Sequence, residues 1–268
     1  MKQEFLKNSV IVAAHPDDEV LWFSSILDQV GHVAIVYQDY WADPEIGEKR
    51  ARAIADFPLK NVTSLEIEEA GTWGCADWNN PVANDVGLAF TRQADIRSLK
   101  LALKKMASKR VAAAAKNISS IGGKYRSNYG VIRDGLRPIL QGAENVFTHN
   151  PWGEYGHEDH LQVHRAVAEL RDEIGFRMWM SNYCSDRSFN LATRYFDEQA
   201  PNYLTLPTNR ALAEQIADHY KKYDCWTWAD DWDWYESESF METPREPANT
   251  SSQTRSMPLN MICLPKAA

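Results

Sequence analysis

The chain has 268 residues, of which 44% are hydrophobic and 25% charged, a composition typical of soluble globular proteins. Its 37 acidic residues outnumber the 29 Lys and Arg, giving a net charge of −8. This balance argues against nucleic acid or an anionic membrane as the main partner, because both require a basic surface. No run of eighteen apolar residues occurs, so no membrane-spanning helix is predicted.

Short apolar runs alternate with helical patterns along the chain. Five of them predict strands, and all but the last are apolar enough to be buried on both faces: Ser9–Ala14, Val33–Tyr37, Val62–Ile67, Asn145–Thr148 and Phe176–Ser181. Strands separated by helices form βαβ units with right-handed crossovers. We therefore expect an α/β, Rossmann-like fold, with a mostly parallel sheet and helices on both faces.

Apolar residues three and four positions apart predict the helices. Thr91 is a candidate cap for one helix, whose inward face would carry Ile96, Leu99, Leu103 and Met106. A second helix is predicted over Leu161–Ile174, and a third begins near Thr208 with Leu212, Ile216 and Tyr220 facing inward.

Two segments interrupt the alternation of strands and helices. Residues 104–137 are rich in Lys, Arg and Gly and predict a partly helical insertion with a mobile loop. Residues 236–256 are dense in Ser, Thr, Pro and Glu and predict an extended surface segment. The four cysteines are scattered without a C-x-x-C pair, and no secretion signal is found, so we expect reduced thiols and a cytoplasmic protein.

An acidic motif directly follows the first predicted strand and runs Ala14-His15-Pro16-Asp17-Asp18-Glu19. Ligands of open parallel sheets bind beyond the carboxyl ends of strands. Adjacent carboxylates repel each other unless a cation or hydrogen-bond donors hold them. The simplest alternative is that Asp17 and Asp18 only cap the next helix. His15 favours a metal site, because the end of a buried strand suits a ligand better than a core residue.

A second motif follows the fourth predicted strand and reads T-H-N-P-W-G-E-Y-G-H-E-D-H from Thr148 to His160. His157 and His160 are three residues apart, so they lean the same way on the first turn of a helix. Both motifs lie at strand-to-helix junctions, and we expect them at one edge of the sheet. Their side chains suit Zn²⁺ with an open position for water, and another divalent metal is an alternative. We interpret the other histidines as surface or supporting groups: His32, His149, His164 and His219.

The combination of A-H-P-D-D-E and G-E-Y-G-H-x-D-H resembles the LmbE-like (PIG-L) family of zinc-dependent deacetylases, which remove acetyl groups from N-acetylglucosamine units. The resemblance implies that His15, Asp18 and His160 bind the metal and that Asp17 is the general base. In sequence order the resemblance extends over about residues 1–180 of a single domain, leaving a C-terminal helix and an aromatic-rich extension over 181–268.

The resemblance also implies roles around the metal. His157 would protonate the leaving amine or stabilise the oxyanion, held cationic and oriented by Asp159, and Tyr155 would polarise the amide carbonyl. The residues assigned to substrate binding are Arg50, Trp152 and Glu154. The sequence departs from the family after the first motif, where V-L-W-F-S-S replaces a glycine-rich turn, and after the second strand, where Q-D-Y-W occurs. Both departures place bulky aromatic residues in loops expected to face the substrate.

These motifs predict a hydrolase that removes an acetyl group from an N-acetylated amino sugar or glycoconjugate. Two alternatives remain: a deacylase of a non-sugar N-acyl metabolite, and a metal-stabilised binding protein without catalysis. A dinucleotide-binding oxidoreductase is not expected, because no G-x-G-x-x-G follows the first strand. The late aromatic cluster, residues 226–235, predicts either the wall of a cleft or a contact within a homo-oligomer.

Overall fold

The computed structural model describes residues 2–107, 120–196, 202–243 and 256–264. In chain order its elements are α1 (Lys2–Lys7), β1 (Ser9–Ala13), α2 (Asp18–Phe23), β2 (His32–Tyr37), α3 (Pro44–Ala55), β3 (Val62–Ile67), β4 (Ala83–Asn84), β5 (Gly87–Leu88), α4 (Arg92–Ala107), α5 (Ile121–Leu140), β6 (Asn145–Thr148), α6 (Glu158–Ile174), β7 (Arg177–Ser181), β8 (Tyr183–Ser185), α7 (Phe189–Ala192), β9 (Tyr203–Pro207), α8 (Arg210–Lys222), β10 (Ser237–Thr243) and β11 (Asn260–Ile262).

Seven strands form the central sheet in the order β3-β2-β1-β6-β7-β10-β9. The first five run parallel, and β10 is antiparallel to both of its neighbours. The chain passes from β1 to β2 on one side and later returns to β6 on the other. A reversal of this kind opens a crevice beyond the carboxyl ends of the two strands. Both motifs leave the sheet there.

Alternate residues of the central strands face two separate cores. Ile11 and Ala13 of β1 pack with α2, α3 and α8, whereas Val10 and Val12 pack with α5 and α6. Helices therefore cover both faces of the sheet, and the predicted fold class is confirmed. The five predicted strands occur within one residue of their expected bounds.

Two expectations about strands are wrong. β3 is not buried on both faces, because it lies at the end of the strand order and leaves Thr63 and Glu66 exposed. The predicted surface segment 236–256 contains β10, which inserts into the central sheet with Glu238, Phe240 and Met241 buried. Pairing with β7 and β9 outweighs the polar composition of this strand. Residues 244–255 of the segment lie outside the described residues.

The inward face predicted for α4 is also wrong. Ile96 and Leu99 are 55% and 62% exposed, and the side chains of 103 and 106 lie outside the described residues. The helix packs instead through Ala94 and Leu101, because it covers Cys75 and the first residue of α5, Ile121, rather than the central sheet. Thr91 does cap it, since its hydroxyl accepts the Gln93 amide at 3.3 Å. Of the predicted insertion 104–137, residues 104–107 end α4 and residues 121–137 lie in α5, while 108–119 lie outside the described residues.

The two remaining helices match their predictions. α6 buries Val163, Ala166, Val167 and Leu170, and α8 buries Ile216 and Tyr220. His219 of α8 was expected at the surface but is buried, with its Nε2 2.8 Å from the Ala53 carbonyl oxygen. No helix within the described ranges has the length and apolarity needed to cross a bilayer.

Candidate active site

The backbone conformation of Asp17, in the loop between β1 and α2, directs its side chain away from α2. Asp17 is the N-cap of α2 and has a φ of 115°, yet its side chain makes no capping hydrogen bond. Its Oδ2 instead accepts the hydroxyl of Thr227 at 2.8 Å, and the residue lines a cavity. A non-glycine residue with positive φ is strained, and such strain is concentrated at functional sites. The helix-capping alternative therefore does not describe this side chain.

Glu19 holds the strained turn in place. Its Oε2 accepts the backbone N–H of Asp17 at 3.0 Å, and its Oε1 accepts the hydroxyl of Tyr220 at 2.8 Å. Glu19 is fully buried, and burial raises its pKa to about 8 although the hydrogen bond from Tyr220 opposes this shift. The last residue of the first motif thus fixes the backbone of Asp17 from within the core.

The second motif reaches the same edge of the sheet through a tight turn after β6. Gly153 has a φ of 67°, and a Cβ at this position would lie 2.6 Å from the carbonyl oxygen of His157. Only glycine fits this combination of conformation and close approach. The turn brings His157 to the N-cap of α6 and His160 into its first turn.

The two motifs meet at His15, Asp18 and His160, which are all buried. Each offers one ligand atom, and these atoms lie within 4.8 Å of one another. Asp18 Oδ2 is 3.1 Å from His15 Nδ1 and 3.2 Å from His160 Nε2. The sequence-predicted metal ligands are therefore brought together.

The donor atoms of this cluster fit a cation. His160 Nδ1 donates to Glu154 Oε2 at 2.7 Å, so Nε2 is the ring nitrogen with a free lone pair. This Nε2 is buried and has no hydrogen-bond partner among the described residues, although Asp18 is near. A buried nitrogen is rarely left unpaired, and a divalent metal would satisfy both it and the carboxylate.

His149 and Glu154 form a buried hydrogen-bond network with His160 of the cluster. Glu154 accepts from the Nδ1 atoms of His149 and His160, and His149 Nε2 accepts the Ala14 amide at 2.8 Å. His149, Glu154 and His160 form a second group whose possible ligand atoms lie within 4.8 Å of one another. Because both nitrogens of His149 already take part in hydrogen bonds, this group does not offer three free metal-ligand atoms. The third group, His15–His157–Asp159, shares His15 with the first. Burial raises the pKa of Glu154, but His149 outweighs it and holds the pKa at about 2.

Two expected substrate contacts lie outside the cavity. Glu154 is fully buried beneath His160, and Trp152 is fully buried with its Nε1 donating to the Tyr183 carbonyl at 2.8 Å. Both side chains are directed into the protein because they stabilise the turn that carries the second motif. The assignment of Trp152 and Glu154 to substrate binding is corrected accordingly. Arg50, the third expected contact, does line the cavity.

The relation expected between Asp159 and His157 is different in the structure. The Asp159 carboxylate accepts the hydroxyl of Thr72 at 2.8 Å and lies 3.4 Å from His15 Nε2. It is the backbone N–H of Asp159 that contacts His157, donating to Nδ1 at 3.1 Å. A ring nitrogen that accepts a hydrogen bond carries no proton, so His157 is neutral with its proton on Nε2. Burial, with His15 and His160 nearby, also lowers the pKa of His157 well below 6.5. A cationic His157 is not supported.

Burial and neighbouring charges shift the pKa values of Asp17 and His15 at the cavity. Burial raises the pKa of Asp17 to about 6, while Arg50 and the Thr227 hydroxyl oppose this increase. Arg50 Nη2 lies 4.0 Å from Asp17 Oδ2 and also donates to Thr227 at 3.0 Å. For His15, burial lowers the pKa, but hydrogen bonds with Asp159 and Asp18 outweigh it and raise the pKa above 6.5.

The cavity has a volume of about 210 Å³. Five residues named from the sequence line it: His15, Asp17, Arg50, Tyr155 and His157. The other lining residues are Tyr40, Trp41, Glu69, Trp73, Thr227 and Trp228. Glu69 follows β3, so the rule that ligands gather beyond strand ends could have identified it. No local pattern distinguishes Thr227, which is far from both motifs in sequence.

No family model matches the chain, and no curated protein does so either. The solved structures that the chain is similar to include a deacetylase–teicoplanin complex from the biosynthesis of teicoplanin, at 12% identity and a TM-score of 0.45 over 87% of this chain and 97% of that one. The A40926 pseudoaglycone deacetylase has 14% identity and a TM-score of 0.44 over 91% and 100% of the two chains. The zinc-inhibited form of teicoplanin deacetylase has 12% identity and a TM-score of 0.47, covering 87% and 97%.

Proposed function

We propose that this protein is a metal-dependent amide hydrolase that removes the acetyl group from an N-acetylated amino sugar or glycoconjugate. The observation that carries the proposal is the meeting of two distant motifs. His15 and Asp18 come together with His160, and Asp17 lies beside them with its carboxylate in the cavity and outside this ligand set. This arrangement supports the proposal, because hydrolysis of an unreactive amide requires a metal site and a separate base.

The metal, Zn²⁺ or another divalent ion, would be held by His15, Asp18 and His160. When bound, it supplies Lewis acidity that polarises a carbonyl and lowers the pKa of water to about 7. With only these three protein ligands, a coordination position would be left open, as in catalytic zinc sites.

Asp17 is the proposed general base. With a pKa of about 6 it is ionised at neutral pH, and its Oδ2 is held by Thr227 at the cavity. It accepts a proton from the attacking water and passes this proton to the leaving nitrogen, so one carboxylate serves both halves of the reaction. A positioned base of this kind contributes about 10²–10⁴-fold to the rate.

His157 and Tyr155 are proposed to stabilise the charge that develops on the carbonyl oxygen. Because Nδ1 of His157 is occupied by the Asp159 amide, the proton on Nε2 is available as a neutral donor. Burial raises the pKa of Tyr155 above 10, so its hydroxyl remains protonated and can also donate. This assignment selects oxyanion stabilisation over protonation of the amine for His157.

Four aromatic side chains support a sugar as the bound group. Tyr40, Trp41, Trp73 and Trp228 line the cavity, and their faces can stack on the apolar face of a sugar ring. Arg50 supplies polar recognition. It lines the cavity, and its Nη2 donates to Thr227 at 3.0 Å.

The test compares purified wild type with Asp17→Asn, with zinc content measured on the same samples. We expect wild type to release acetate from N-acetylglucosamine conjugates, to lose this activity on chelation and to recover it with zinc. Asp17→Asn should retain zinc and lose about 10²–10⁴-fold in rate. Asp43→Asn is a matched control, because Asp43 is an exposed N-cap of α3 whose role asparagine can replace.

Each alternative gives a different result. Release of acetate or another acyl group only from N-acyl amino acids would identify a deacylase of non-sugar metabolites. Metal binding without hydrolysis of any amide in the panel would identify a binding protein. Normal turnover by zinc-loaded Asp17→Asn would refute the role of Asp17 as the base.

A further inference from the structure

A tryptophan on α2 contacts the carboxylate of the predicted metal site. Trp22 follows Asp18 by one helical turn, and its Nε1 donates to Asp18 Oδ1 at 2.7 Å. Both residues are at most 1% exposed. The bond is at the short end of the N–H···O range, as expected for a donor to an ionised acceptor in a dry environment.

The two oxygens of Asp18 consequently have different surroundings. Oδ1 faces the indole, whereas Oδ2 faces His15 Nδ1 at 3.1 Å and His160 Nε2 at 3.2 Å. Oδ2 also accepts the His15 amide at 2.8 Å, so this bond and the bond from Trp22 to Oδ1 together fix the rotation of the carboxylate. Only Oδ2 is directed at the two histidines.

The indole itself has little freedom to turn. The centroid of its ring lies 4.9 Å from that of Tyr183 and 5.5 Å from that of Trp228. The rings of Tyr155 and Trp232 also pack against it. Close packing on several sides holds the N–H in one direction. Trp22 therefore presents a fixed donor to Oδ1.

We propose that Trp22 is a positioning residue that makes Asp18 a one-oxygen ligand of the metal; this inference rests on the proposed metal site. By occupying Oδ1, the indole leaves Oδ2 as the only oxygen available to the ion. Without the N–H, Oδ1 becomes a buried acceptor lacking its donor, and the carboxylate can rotate to bind the ion through both oxygens. The expectation that V-L-W-F-S-S forms a loop facing the substrate is wrong, because residues 20–23 belong to α2 and residues 20–25 are buried. The proposal makes this departure part of the metal site.

The experiment measures metal affinity and coordination of Trp22→Phe. Zinc affinity is determined by chelator competition, and the coordination number is read from the d–d absorption of the Co²⁺-substituted protein. We expect the dissociation constant for zinc to rise about 10- to 100-fold, the usual effect of removing an outer hydrogen bond to a metal ligand. The Co²⁺ absorption should weaken, because five-coordinate Co²⁺ absorbs less than tetrahedral Co²⁺.

Trp234→Phe is the matched control. Trp234 is also buried, and its Nε1 donates to α2 at the Val20 carbonyl oxygen, 2.9 Å away, but not to Asp18. This variant loses an indole hydrogen bond to the same helix and should leave both metal readouts unchanged. If both variants weaken zinc binding equally, the effect belongs to the stability of α2 and the proposal is overturned.

A second replacement keeps the shape of the ring. Benzothienylalanine at position 22 substitutes sulfur for the N–H, and it decides the question if circular dichroism shows that Trp22→Phe is unfolded. If this variant binds Co²⁺ with the same affinity and the same spectrum as wild type, the proposed role of Trp22 is overturned, whereas the proposed function is not. Absence of metal binding by wild type would overturn the proposed function together with this inference.

Discussion

The hydroxyl of Thr227 offers a direct test of how the base is tuned. It donates to Asp17 Oδ2 at 2.8 Å and thereby lowers the pKa of this carboxyl. Thr227→Val removes the hydroxyl and keeps the shape of the side chain. We expect the acidic limb of the pH–rate profile to move to higher pH, because the ionised form of Asp17 loses a donor.

The size of the shift follows from the bond. A hydrogen bond to a charged group is worth about 1.5–3 kcal/mol, and the lower value applies because Thr227 is exposed to water. At 1.36 kcal/mol per unit, the pKa of Asp17 would rise by about one unit from its value of about 6. The ionised fraction at pH 7 would then fall from about nine-tenths to about one half. Below both pKa values, the rate would fall about tenfold.

The assay is kcat/KM for deacetylation between pH 5 and 9 with zinc-saturated protein, since this parameter reports groups of the free enzyme. A bound ion shifts the pKa of Asp17 in both proteins, so the difference between them is the predicted quantity. Thr227→Ser retains the donor and should behave as wild type. An acidic limb that is identical in Thr227→Val and wild type would refute the tuning of Asp17 by this hydroxyl.

Three further predictions concern the surrounding network. His157→Ala should lower kcat about 10²-fold, as loss of an oxyanion donor does. His157→Gln keeps an N–H donor and should recover part of the lost rate, so equal rates for the two variants would contradict the donor role. Glu154→Gln should weaken zinc binding about 10- to 100-fold in chelator competition, because His160 Nδ1 loses its carboxylate partner. Unchanged zinc affinity would show that Glu154 does not orient His160 for the metal. Glu238→Ala should lower the free energy of unfolding by about 3 kcal/mol in urea titrations, since three short bonds from Ser24 and Ser25 are lost. If the free energy of unfolding falls by well under 1 kcal/mol, removing the buried carboxylate of Glu238 compensates for the lost hydrogen bonds, and the prediction is wrong.

The parallel part of the sheet was predictable because its strands carry a local signature. β1 is apolar after Ser9, β6 has Val146 and Phe147 at its centre, and each strand is followed by a polar motif. The carboxyl ends of parallel strands meet at one edge, so the meeting of His15 and His160 could be expected from sequence order.

The edges of the sheet were not predictable in the same way. β10 has a polar sequence, and its place beside β7 depends on contacts made far along the chain, including those of Glu238 with Ser24 and Ser25. The face of α4 was missed because helical periodicity does not specify which surface the helix covers. That choice follows from where Cys75 and Ile121 lie in space.

The amino-acid sequence by itself determined the chemistry at the centre of the site: which histidines and carboxylates follow the buried strands, and which glycines permit the turn between them. Tertiary structure alone decided the state of these groups. Burial and the nearby rings of His15 and His160 lower the pKa of His157, and the direction of Asp17 depends on Thr227, 210 positions away. Protonation and orientation are set by burial and by the partners that folding brings within about 3 Å, and neither is encoded in local spacing.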